Sequence, residues 1–131
     1  MLVLSSIILA LIFPNKVAPD QIVTFQKHAE ILHVSTDLPK IGNWWRVPKG
    51  VDEMTIFVKA NNTETVLFWL IPTGTQTWGQ RELIGYDKDG SDGWTLTWKF
   101  GNRVLHDHIH VQALGDQTLS NSSINITTSF L

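Results

Sequence analysis

Three histidines separated by single residues, in His106-Asp107-His108-Ile109-His110, are the sharpest chemical feature of this chain. On a strand, alternate side chains share one face, with about 6.6 Å between successive Cα atoms of that face. Two imidazoles at that separation can converge on one transition-metal ion. The third, about 13 Å from the first, reaches it less easily. Zinc also requires three or four ligands, normally oriented by outer hydrogen bonds. The alternate set Leu105, Asp107, Ile109, Val111 and Ala113 is mostly apolar, which turns the histidines to the outside of their sheet. Solvent-facing histidines and a metal site both fit that placement.

A second group is the loop Asp87-Lys88-Asp89-Gly90-Ser91-Asp92-Gly93. Hard carboxylate oxygens at Asp87, Asp89 and Asp92 suit Ca²⁺. No glutamate follows at the spacing of an EF-hand, so that motif is excluded. Asp-Gly is equally the usual way to build a tight turn. Ca²⁺ is thus the one cofactor suggested, and otherwise none is expected. Gly-x-Ser-x-Gly, His-Glu-x-x-His and phosphate-loop motifs are absent. A carboxylate pair for glycoside hydrolysis could be assembled only by the fold. The expectation is a non-enzymatic protein. A secreted Ca²⁺- or metal-dependent binding protein and a small hydrolase stand as alternatives.

These groups must be held by strands. In Gly93-Trp94-Thr95-Leu96-Thr97-Trp98, large apolar residues alternate with threonines, the period-two signature of a half-buried strand. Leu105–Ala113 and Ser122–Thr128 alternate likewise, after a turn at Gly101-Asn102-Arg103. Met54, Ile56, Val58 and Ala60 give another one-faced strand, closed by the Asn61–Glu64 turn. Val66–Ile71 is apolar on both parities, as in a strand covered on both sides or facing a partner. Arg81–Tyr86 reads as a short strand after a Gly- and Thr-rich turn that contains Trp78. Ala29–Ser35 fits a strand or one helical turn, and Ile22–Phe25 an edge strand. Thr36–Gly50 reads as a long irregular connection in which one ring of the pair Trp44 and Trp45 plugs the end of the core. Strands at this spacing predict an all-β, two-sheet antiparallel sandwich of about seven strands.

The stretch from Val66 onward resembles the bacterial immunoglobulin-like domains of surface and secreted proteins. The matching residues are Ile84-Gly85-Tyr86-Asp87, Gly93-Trp94 with Trp98, Ile109-x-Val111-x-Ala113 and Ser123-Ile124-Asn125-Ile126-Thr127. The pattern covers about half of the chain and describes core and turn positions. It departs at Asp107, where such domains often have a tyrosine, and in the segment Thr36–Gly50. The resemblance implies an immunoglobulin-like sandwich serving as a stalk, spacer or adhesion module. It also places Val66–Ile71 beside Leu105–Ala113, with the last strand on the far side. Leu67, Trp69 and Ile71 then neighbour His106, His108 and His110, flanked by Ser123, Asn125 and Thr127. Either Trp44 and Trp45 cover that face, or Trp69 and the three histidines form a surface for a protein or an envelope polymer.

The rest bounds the setting. The 131 residues carry a net charge of −2, 43 % hydrophobic and 10 % aromatic residues, and no cysteine. That is enough apolar content for one core, with no electrostatic footprint for nucleic acid and no disulfide or thiolate chemistry. Residues 1–13 are apolar apart from Ser5 and Ser6 and read as a signal-like or membrane-anchor segment, with a buried element of the domain as the alternative. Residues 14–21 read as a linker and 22–131 as the domain. The expected location is extracellular or in the cell envelope, tethered through this segment. Export without cysteine suits a Gram-positive envelope. The sequons at Asn61, Asn121 and Asn125 matter only in a eukaryotic secretory route.

Overall fold

The computed structural model describes residues 27–128. The signal-like segment, the linker and the edge strand expected at Ile22–Phe25 lie outside the described residues. The alternating segments all become strands: β1 (Glu30–Thr36), β2 (Lys40–Ile41), β3 (Trp44–Val47), β4 (Glu53–Asn61), β5 (Thr65–Pro72), β6 (Glu82–Asp87), β7 (Trp94–Lys99), β8 (His106–Leu114) and β9 (Leu119–Thr128). One 3-10 turn, Trp78–Gln80, interrupts the β5–β6 connection.

The strands form a six-stranded sheet in the order β2-β3-β9-β8-β5-β6 and a three-stranded sheet β1-β4-β7. The chain passes between the sheets from β1 to β2, from β3 to β4, from β4 to β5, from β6 to β7 and from β7 to β8. Crossovers of this kind build a two-sheet β-sandwich. Nine strands are described where about seven were expected. The surplus comes from Thr36–Gly50, which is not irregular. β3 pairs in parallel with β9, Trp44 opposite Asn125 and Val47 opposite Thr128, and β2 pairs with β3 across a turn at Gly42. Four residues bracketed by Gly42 and Pro48 show no alternation, and their partner lies some eighty residues away. No local signal could mark them. The switch from β1 to β2 is made at buried Thr36, whose Oγ1 accepts the Leu38 N–H at 3.0 Å, while Leu38 enters the core.

The core lies between the sheets. Met54, Ile56 and Val58 of β4 and Trp94 and Trp98 of β7 face Val66 and Phe68 of β5, Ile109 and Val111 of β8 and Ile126 of β9. Burial of these residues supplies the driving force, because each parity buries its apolar set on one side. Leu96 and Ile124 pack at the margins of the same cluster. Trp45 packs against the core, as one ring of the pair was expected to do. Trp44 has the opposite parity and stands on the outer face of the large sheet.

Candidate functional site

Register fixes the outer face of the large sheet. Trp69 lies beside His110 and Ile71 beside His108; across β9, His110 meets Ser123, His108 meets Asn125 and His106 meets Thr127. The expected juxtaposition is therefore present for Trp69 and Ile71. Leu67 instead lies beside Gln112, and His106 passes the end of β5, where Pro72 meets Asp107.

An aromatic layer is laid over this lattice. Trp44 stacks on His106 with ring centroids 4.6 Å apart and planes 12° apart. At the other end, Trp78 meets His110 edge to face at 5.1 Å and Trp69 at 6.0 Å. The Arg81 guanidinium lies 5.0 Å from the Trp69 ring and 4.4 Å from the Trp78 ring, and Arg81 Nη1 donates to the Trp78 carbonyl. Cation–π contact of this kind orders a long side chain on a surface. Ile71 is 7 % exposed yet stands outside the core cluster, so the outer face has packing of its own. Cover from within is thus partial, and it comes from Trp44, Trp78 and Arg81. Trp78 stays 42 % exposed, Leu83 46 % and Tyr86 57 %.

Hydrogen bonds fix which ring nitrogen donates in two imidazoles. Trp69 Nε1 can only donate, and it does so to Gln112 Oε1 at 2.7 Å. Gln112 Nε2 therefore donates to Asn121 Oδ1 at 3.2 Å. The same Asn121 oxygen lies 2.9 Å from His110 Nε2, which must donate, leaving His110 Nδ1 as the acceptor of the neutral ring. Asn125 Nδ2 donates to the Asn43 carbonyl, so its oxygen faces His108 Nδ1 at 2.6 Å and that nitrogen carries the proton. His106 Nδ1 lies 3.2 Å from Thr127 Oγ1. The three rings are thus tied to three different β9 side chains, and the outer two are drawn to Trp44 and Trp78. Among the described residues no three His, Asp or Glu side chains gather as a metal-binding group.

Two of the three carboxylates of the acidic loop are taken up by backbone N–H groups. Asp87 accepts the Asp89 N–H at 3.0 Å on one oxygen and the Thr95 N–H at 2.9 Å on the other. Asp89 accepts the Ser91 N–H at 3.0 Å, and bonds from the Ser91 hydroxyl and backbone hold its carboxyl below the ordinary range. Asp92 is exposed. The loop folds over Trp94: a Cβ on Gly90 would stand 2.3 Å from the buried indole. Glycine is required there by close approach, because any Cβ would meet the ring of the buried Trp94. Gly90→Ala should cost about 1–3 kcal/mol in chemical denaturation, the usual range for forced overpacking. A neutral substitution would show that the loop stands clear of Trp94.

Trp78, Gln112 and Asn121 belong to the same constellation, although no motif marked them. Their signal was parity. Gln112 continues the row 106, 108, 110, and Asn121 continues Ser123 and Asn125. Trp78 gave only the hint that a large indole in a Gly- and Thr-rich turn seeks a surface to lie on.

No family model matches the chain, and no curated protein matches it in sequence. Among solved structures it is similar to a Bacillus amyloliquefaciens CBM33 in complex with Cu(I), at 14 % identity and a TM-score of 0.48, over 64 % of this chain and 55 % of that one. The chain thus spans about half the length of that relative. A chain from the structural study of T cell specificity and activation by the bacterial superantigen toxic shock syndrome toxin-1 is similar at 12 % identity and a TM-score of 0.50. That match covers 76 % of this chain and all of the other. At such identities the likeness extends to the β-sandwich fold alone.

Proposed function

We propose that the chain is a non-enzymatic, exported immunoglobulin-like module of the cell envelope that binds its partner through the outer face of the large sheet. One observation carries this reading: Trp69, Trp78, His110, Gln112 and Asn121 form an ordered aromatic and amide layer on a face that a purely structural sandwich would leave to scattered polar residues. Half-exposed aromatic side chains beside fixed polar groups are the usual make-up of a contact surface, since rings supply area at little entropic cost. The apolar run at residues 1–13 supports export, and the absence of cysteine is compatible with it.

The test is cosedimentation of the purified chain with envelopes of its source cells, alongside fractionation of those cells. Wild type should be retained, and Trp69→Ser should lower retention by about tenfold while remaining folded. Wild type left wholly in the supernatant, or a native chain found only in the cytoplasm, would overturn the proposal.

A further inference from the structure

We propose that the cleft between Trp78 and β8 receives an uncharged pyranose ring of a glycan. The inference rests on the binding reading above and names its ligand class. The cleft measures about 340 Å³ and is lined by Trp78, His110, Gln112 and Asn121. It is a shallow depression open to solvent, so it can receive one ring of a longer chain and not enclose a whole ligand.

Its polar groups are fixed in advance. Asn121 Oδ1 is consumed by His110 and Gln112, so the two Nδ2 protons of Asn121 are left without a partner among the described residues. Gln112 Nε2 spends one proton on Asn121 and keeps the other. His110 donates through Nε2, and its Nδ1 lone pair is unspent in the neutral ring. The cleft therefore offers two amide donors, one imidazole acceptor and an indole that is 42 % exposed.

That set discriminates between ligand chemistries. A carboxylate or phosphate accepts only, and so leaves the Nδ1 lone pair of a neutral His110 ring unmatched. An ammonium group donates only, and the amide protons oppose it. Hydroxyls both donate and accept, and so satisfy all three polar groups together. A ring that carries hydroxyls at its edge and C–H bonds on its face is a pyranose, and its C–H face suits the open part of the Trp78 indole. Arg81 covers the rest of that indole, and its guanidinium is held by the Trp78 carbonyl and two rings. In that position it orders Trp78.

Isothermal titration of the whole chain with tetraoses of glucose, mannose and N-acetylglucosamine tests this. At least one should bind with a Kd of about 10 µM to 1 mM. Trp78→Ala should weaken binding by about tenfold or more. Asn121→Asp keeps the acceptor for His110 and Gln112 but loses both donors; it should weaken binding by about tenfold with an unchanged melting temperature. Phe57→Ser, on the outer face of the small sheet, should leave binding unaltered. No binding of any tetraose at about 10 mM, binding confined to tetragalacturonate, or full affinity in Trp78→Ala would each overturn the inference. Envelope retention without tetraose binding removes the glycan and leaves the binding module standing. Loss of both removes the two readings together.

Discussion

Trp98→Ala should lower the free energy of unfolding by about 3–5 kcal/mol, the range for truncating a buried large aromatic. Trp98 is 8 % exposed, lies opposite Met54 in the β4–β7 ladder, and has its ring 5.3 Å from that of Phe100. The Arg103 guanidinium lies over the ring, 6.0 Å from its centroid. Collapse into the vacated space is opposed on each side. Met54 is fully buried and fixed by its own strand, and Phe100 is anchored where its N–H donates to the Asp52 carbonyl at 3.0 Å. A single domain usually has about 5–15 kcal/mol to lose, so the variant should sit near the edge of folding. Trp98→Phe should recover a large part of the loss. Urea unfolding followed by circular dichroism measures both. A loss below about 1 kcal/mol would mean that Trp98 faces solvent and that the parity of β7 is inverted.

That parity was legible because the period of two is local: Trp94, Leu96 and Trp98, or Ile109, Val111 and Ala113, announce their face without reference to any partner. Parity excludes a slip of one residue, which would turn an apolar set outward, but not a slip of two. Leu67 accordingly lies beside Gln112 and not beside a histidine. What stayed hidden was set at long range. β3 exists because β9 offers a free edge to Trp44–Val47, a pairing across some eighty residues with no counterpart in four residues of sequence. Trp78 reaches His110 only because the 3-10 turn at Trp78–Gln80 carries it back over β5. The amide chain from Trp69 through Gln112 and Asn121 to His110 needs three strands side by side. The histidine row was visible at once, yet its chemistry was not. Spacing gives the shared face, while the partners Thr127, Asn125 and Asn121 decide which nitrogen is free.

The second large effect separates the two faces of β5. Phe68→Ala should cost about 3–5 kcal/mol. Phe68 is 0 % exposed, the largest fully buried side chain described, and lies between Val111 of β8 and Gly85 of β6. Its neighbour Trp69 points the other way, beside His110 and Leu83, half-buried under Trp78 and Arg81. Trp69→Ser removes an indole and one hydrogen bond to Gln112, but water can replace both at an open surface. The expected cost is under about 2 kcal/mol. Thermal and urea unfolding of the two variants side by side decide between two views of the outer layer. A small cost at Trp69 with lost retention on envelopes fits a surface built to be covered by something else. A cost at Trp69 equal to that at Phe68, with retention unchanged, would make the aromatic layer a second core. The binding role would then have to leave this face.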